Sequence, residues 1–280
     1  MSQTKHETRA FEMSLTIDAT PEDVWNALTD PRELVRWFPT HAAVTPGVGG
    51  KVRWTWENSE WDWKTNIDAW DPQRRLRLVY DQSAPAKDGK PAAVTSATLA
   101  IEFTIERAGD AGERAGGATR LRLVHSGYGK DEAWDDEFNS ISSGWSSELK
   151  SLWLYLSRHK GQDRHAAWVN WPTRLSEEQV WARLTGPDGF ALPADVRVGA
   201  PYALRAANGF TAAGETLAIS RDAFAGTVTN LDDSLLRLAV HTPDDKRAAY
   251  AWLSTWGLGP DVTAQFAAST DALVRKLFPE

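Results

Sequence analysis

The sequence predicts an α+β protein built twice over: a curved antiparallel sheet wrapped around a long C-terminal helix, in two tandem domains. Three observations carry that prediction. A short motif recurs at a constant offset, each copy is followed by alternating strand-like segments, and each half closes on one long amphipathic helix. With 280 residues, either half is long enough to bury a core of its own.

The recurring motif is TPEDVWNALTDP at 20–31 and SEEQVWARLTGP at 176–187. At the offset of 156, Thr20 matches Ser176, Val24 matches Val180 and Trp25 matches Trp181; Leu28, Thr29 and Pro31 match Leu184, Thr185 and Pro187. Both copies open with a capping signature, Thr20-x-x-Asp23 and Ser176-x-x-Gln179, whose side chains satisfy orphan N–H groups at a helix start. In the first half, alternation marks inward strand faces: Phe11, Met13, Leu15 and Ile17, then Val52, Trp54 and Trp56, then Trp61, Trp63, Thr65 and Ile67. Leu76, Leu78 and Tyr80 follow, then Leu99, Ile101, Phe103 and Ile105, and last Leu121, Leu123 and His125. The connections at 83–93 and 107–118 are small, polar and Gly-rich, and read as hairpin loops without chemistry.

The first closing helix, expected near 131–158, carries the stripe Trp134, Phe138, Ile141, Trp145, Leu149, Leu152 and Leu156. The second, near 260–278, carries Val262, Phe266, Leu273 and Leu277. The polar stretch SRHKGQDRHAA at 157–167 reads as a helix end and linker. The expected division is therefore a first domain at 1–162 and a second, shorter one at 163–280. Ala264, Ala267, Ala268 and Ala272 are expected to let the second helix approach its sheet closely, with Tyr250, Trp252 and Trp256 plugging remaining space or facing the first domain.

Composition narrows the function. Acids outnumber bases 38 to 31, a net charge of −7, which argues against a nucleic-acid footprint. The absence of Cys removes disulfides, thiolate metal sites and cysteine nucleophiles. No apolar run is long enough to insert in a membrane, and the opening MSQTKHETRA is polar, so a cytoplasmic setting is expected. The unusual feature is Trp, at 15 residues, ten of them before residue 160.

Four segments in the first half resemble a known family: ATPEDVWNALTDPRELVRWF (19–38), VGGKVRW (48–54), IDAWDPQRRLRL (67–78) and ISSGWSSELKSLWLYL (141–156), the last with its Gly144-Trp145 pair. Together they resemble the START-like helix-grip (SRPBCC) superfamily, in the branch named after the activator of the heat-shock protein 90 ATPase. The second half is similar to the same family but divergent. It keeps the VW helix, VGAPY (198–202), WLSTWGL (252–258) and the closing helix, and lacks the Gly-Trp pair. The resemblance implies a helix-grip fold, a hydrophobic-ligand cavity or a protein-binding surface, and a stress-response setting. It supplies no fixed catalytic residues.

A hairpin turn at Asn58-Ser59 sets Trp56 opposite Trp61 and Trp54 opposite Trp63, stacked cross-strand pairs on one face. These rings either fill the sheet–helix space as core or line a ligand cavity, where indole N–H groups are sparse polar anchors. His125 shares parity with Leu121 and Leu123 and is expected to point inward, as a hydrogen-bonded core residue or the pocket's polar group. The candidate ligand-binding set is Trp54, Trp56, Trp61, Trp63, Phe103, His125, Phe138 and Trp145. His41, His159, His165 and His241 lack partners at metal-ligand spacing, so neither a metal nor a cofactor is expected. Asp131, Glu132, Asp135, Asp136 and Glu137 read as acids meeting a helix dipole, and Arg74, Arg75 and Arg77 as a solvated edge. The expected function is non-enzymatic binding of a hydrophobic or aromatic small molecule by the first domain. The alternatives are a co-chaperone-like module that binds a chaperone or other protein, and a polyketide cyclase-type enzyme.

Overall fold

A computed structural model of the chain describes residues 8–57, 62–80, 99–108, 117–130, 132–241 and 247–279. Trp61, the Asn58-Ser59 turn, Asp131 and the bodies of the two Gly-rich connections lie outside the described residues. The chain divides into two compact units, Met1–Gly161 and Gln162–Glu280.

The first unit runs β1 (Thr8–Ile17), α1 (Pro21–Thr29), α2 (Pro31–Leu34), β2 (His41–Thr45), β3 (Lys51–Thr55), β4 (Asp62–Asp71), β5 (Arg75–Tyr80), β6 (Ala100–Arg107), β7 (Thr119–Gly129) and α3 (Asp135–Arg158). Its seven strands form an antiparallel sheet in the order β1-β7-β6-β5-β4-β3-β2. The second unit runs β8 (Arg164–Thr173), α4 (Glu177–Thr185), β9 (Pro201–Arg205), β10 (Thr211–Ile219), β11 (Ala223–Val228), β12 (Ser234–His241), β13 (Arg247–Trp256) and α5 (Pro260–Leu277). Its sheet order, β8-β13-β12-β11-β10-β9, is the same closure without a counterpart of β2. Each unit is a curved antiparallel sheet with a long C-terminal helix, the helix-grip architecture.

The repeat in the sequence is a repeat in the backbone. The offset of 156 carries β1 onto β8 and α1 onto α4, residue for residue. Both helices start from full capping boxes: Asp23 N donates to Thr20 Oγ1 (3.1 Å) and Thr20 N to the Asp23 carboxylate, and Gln179 and Ser176 reproduce the pair. The strand lead-ins also match. Gly49 N donates to Ile67 O and Gly50 N to Gly47 O, as Gly199 N does to Thr216 O and Ala200 N to Arg197 O. Gly49 and Gly199 both sit at positive φ, +80° and +78°, the conformation this turn needs.

Strand faces fall as alternation predicts. Ile17, Leu76, Leu78, Ile101, Phe103, Leu121 and Leu123 are buried, and Leu149, Leu152 and Leu156 of α3 are buried with them. The structure corrects the sequence reading at four points. The edge strand β2 escapes the strand reading because HAAVT is short and half-exposed along its length, as edge strands are. The α-helix α3 begins at Asp135, Trp134 ending a single 3-10 turn before it. In the second unit Ala264, Ala268 and Ala272 lie on the exposed side of α5; Thr263, Phe266, Thr270, Leu273 and Val274 are its buried residues. The strand parity that joins this core is Ala249, Ala251 and Leu253, so Tyr250, Trp252 and Trp256 point to the other face of the sheet and do not plug the sheet–helix space. There Trp252 stacks on its cross-strand neighbour Trp168 at 4.7 Å.

Helix α3 is unevenly anchored. From Trp145 onward it buries Leu149, Ser151, Leu152, Leu154, Tyr155 and Leu156, whereas Phe138 and Ile141 are only half-buried and Asn139, Ser140, Ser143 and Gly144 are exposed. Ser142 Oγ donates back to Phe138 O (2.6 Å) and Ser146 Oγ to Ser142 O (2.8 Å), bonds that weaken a helix slightly. A Cβ at Gly144 would meet nothing within 4 Å, so packing does not demand this glycine. Gly144→Ala is expected to raise unfolding stability by about 0.5–1 kcal/mol through helix propensity, read as a shift in the urea midpoint at unchanged slope. A destabilised variant would show that the position needs glycine's freedom.

Candidate functional site

The first unit's sheet, the α2–β2 connection and α3 converge on a cluster of aromatic rings. Phe38, just after α2, is its hub: its centroid lies 5.2 Å from Trp54, 5.3 Å from Trp56, 6.3 Å from Trp63 and 5.2 Å from Trp145. Trp54 and Trp63 are register partners across β3 and β4, as the hairpin reading expected, but their rings meet edge-to-face at 6.3 Å and are not stacked; Trp56 reaches Trp63 at 5.5 Å. Trp145 descends from α3 onto Phe103 of β6 at 5.8 Å. Most of these contacts are edge-to-face, the geometry that aromatic quadrupoles favour.

His125 is the polar centre of the cluster and is fully buried. Trp145 Nε1–H donates to its Nδ1 at 3.0 Å, and an indole can only donate. Nδ1 is therefore the unprotonated nitrogen, and Nε2–H faces Tyr128 Oη at 3.0 Å. Burial pushes the imidazole from its ordinary 6.5 down to about 3, so it is neutral at physiological pH. Tyr80 stacks flat on it, with centroids 5.5 Å apart and planes within 4°. Burial, with a smaller contribution from the Glu137 carboxylate, drives the Tyr80 hydroxyl well above its ordinary range; Tyr128 moves the same way for the same first cause. No group here exchanges a proton readily near neutrality.

Of the residues expected to form the site, Trp54, Trp56, Trp63, Phe103, His125 and Trp145 come together. Phe138 joins through Tyr128, at 5.4 Å; Trp61 lies outside the described residues. Sequence reasoning missed Phe38, Tyr80 and Tyr128 as members. Tyr80 carried a signal, its shared parity with Leu76 and Leu78. Tyr128 did not: the pairing of β1 with β7 shifts at Arg9/Ala10, passing over Gly127 at φ +103°. That one-residue bulge turns Tyr128 onto the face of His125.

Two polar atoms in the cluster are unsatisfied. Trp54 Nε1 and Tyr80 Oη are shielded from solvent without a hydrogen-bond partner. Tyr80 as a whole is half-buried, as are Trp63 and Phe138. Clefts occur elsewhere: one of about 940 Å³ lined by Asp71, Gln73, Arg74, Arg75 and Arg107, and one of about 630 Å³ in the second unit beside Arg183, Asn208 and Lys276. Among the described residues, no group of three or more His, Asp or Glu side chains is placed to hold a metal ion, and no helix is long and apolar enough to cross a membrane.

A family model described as "Activator of Hsp90 ATPase homolog 1-like protein" matches residues 18–157. Among curated proteins none matches the chain. Solved structures that match include the Aha1 dimer from Colwellia psychrerythraea, at 18% identity over 55% of this chain and 99% of that one, with a TM-score of 0.43. The di-domain ARO/CYC BexL from the BE-7585A biosynthetic pathway matches at 13% identity over 96% of this chain and 95% of its own, with a TM-score of 0.42. DynU16, a protein in the dynemicin biosynthetic locus, matches at 17% identity over 95% of this chain and 98% of its own, with a TM-score of 0.39.

Proposed function

This chain belongs to the family of Activator of Hsp90 ATPase homolog 1-like proteins, and from that premise we propose that its first unit is a non-enzymatic receptor for an apolar, aromatic small molecule held between the sheet and α3. The observation that carries the reading is the pair of shielded, unpartnered polar atoms, Trp54 Nε1 and Tyr80 Oη, set in a wall of aromatic rings. Each buried orphan costs about 1–3 kcal/mol, and a binding site keeps such groups, set among apolar rings, for its ligand. Admission is supported by the half-buried Trp63, Tyr80 and Phe138 and by the first half of α3, which is weakly anchored and rich in Ser and Gly. The reading is non-enzymatic because His125 has both ring nitrogens engaged and stays neutral, and the neighbouring tyrosines hold their protons. Residues 163–280 are proposed as a divergent helix-grip copy with a mainly structural role. Its core is filled by Phe224, Phe266 and Leu273; Tyr202 Oη is bonded to Thr227 O, while the hydroxyls of Thr216 and Thr270 are buried without a partner.

Titration of the full chain with polycyclic aromatic compounds is expected to quench or shift tryptophan emission. It should also stabilise the protein by about 2.7 kcal/mol at a hundredfold excess over Kd. Trp54→Ala or Trp145→Ala should weaken the response. No spectral change and no thermal shift across a broad apolar library would overturn the ligand reading and favour a protein partner met at the surface.

A further inference from the structure

Resting on the ligand reading above, we infer that the ligand is uncharged and carries a hydrogen-bond acceptor on its aromatic body, a ketone or quinone type of oxygen, received by Trp54 Nε1–H with Tyr80 Oη as a second anchor. Trp54 is 2% exposed, and its indole nitrogen has no partner. Other indoles in the chain are satisfied: Trp37 donates to Ala27 O (2.7 Å), Trp145 to His125 Nδ1, Trp171 to Phe278 O (3.0 Å) and Trp252 to Ser254 Oγ (2.7 Å). The ring neighbours of Trp54, namely Phe38, Trp63 and Trp145, carry no acceptor oxygen in their side chains. An indole is donor-only, so the missing partner is an acceptor.

Neutral His125 and protonated Tyr80 and Tyr128 offer no counterion, the Arg9 guanidinium over the Phe138 ring (4.4 Å) is already committed to Asp135 at 2.6 Å, and an ion taken from water into such a site meets a large desolvation penalty. The Glu137 carboxylate, whose field reaches Tyr80 and Tyr128, further opposes an anion. A quaternary ammonium would suit the π faces but leave Trp54 Nε1–H unpaired.

Calorimetric titration of the full chain with three probes of one shape tests this: fluorene, its ketone fluorenone, and a fluorenone carboxylate. In the native protein fluorenone is expected to bind, with the carboxylate at least tenfold weaker. The fluorenone-to-fluorene affinity ratio should fall about fivefold in Trp54→Phe, the loss of one net hydrogen bond. Tyr80→Phe, which removes a single oxygen, provides a second and milder variant, and circular dichroism confirms that both fold. Equal ratios in the native protein and both variants, or carboxylate binding as tight as the ketone, would overturn this inference while leaving the ligand reading intact. Failure of both fluorene and fluorenone to bind would overturn the ligand reading itself, and this inference with it.

Discussion

Replacing Trp145 with Ala is expected to destabilise the first unit by about 3–5 kcal/mol, the range for deleting a large, fully buried ring. Trp145 touches Phe38, Trp54, Phe103 and His125, so its removal opens a void that rings on four separate segments cannot close together. It also withdraws the N–H that fixes the His125 tautomer. Trp145→Phe separates the two contributions, keeping most of the ring but orphaning Nδ1, with an expected loss of about 1–3 kcal/mol. Chemical denaturation followed by tryptophan emission reads the result, since ten of the 15 Trp lie in this unit. A loss below about 1 kcal/mol for the Ala variant would mean that the cluster is loosely packed and carries little of the fold.

Acid should weaken the fold through His125. The buried imidazole resists protonation down to about pH 3, while the unfolded chain's histidine takes up a proton near 6.5. Between those values the unfolded state binds the extra proton, so stability falls as pH falls, with a limiting slope of about 1.4 kcal/mol per pH unit. By pH 4.5 the loss is expected to be about 3 kcal/mol, and from about one unit above 6.5 His125 adds no pH dependence. Asp23, Asp30 and Asp62 are held below their ordinary range and also lose stabilisation in acid, so the test is the difference between the native protein and His125→Gln. That difference should shrink as pH falls from 6.5 to 4.5; a constant difference would place His125 in contact with water.

Much of the fold was legible because it rests on local signals. The TPEDVW and SEEQVW starts announce capping boxes that both form, and the alternating faces of β1, β3, β5 and β7 announce a one-sided sheet. What stayed hidden depended on the third dimension. Phe38 follows a four-residue helix and has no periodicity to betray its central place. Tyr128 is turned inward by a bulge that strict alternation cannot foresee. The small residues of α5 proved to lie mainly on its exposed side, because the helix buries the stripe through Phe266, Thr270 and Leu273 and leaves the alanines outside it. The candidate site was legible in its indoles and in His125, yet the two unpartnered atoms that give it a chemistry could be seen only once the rings were in place.

The indole N–H resonances of the full chain report most directly on whether an apolar aromatic ligand enters the first unit's ring cluster as proposed. On titration with fluorenone, the resonance assigned to Trp54 by its loss in Trp54→Phe is predicted to move most, followed by those of Trp63 and Trp145. Trp168, Trp171 and Trp252 should stay in place. Shifts confined to the second unit's indoles, or none at saturating ligand, would contradict the account.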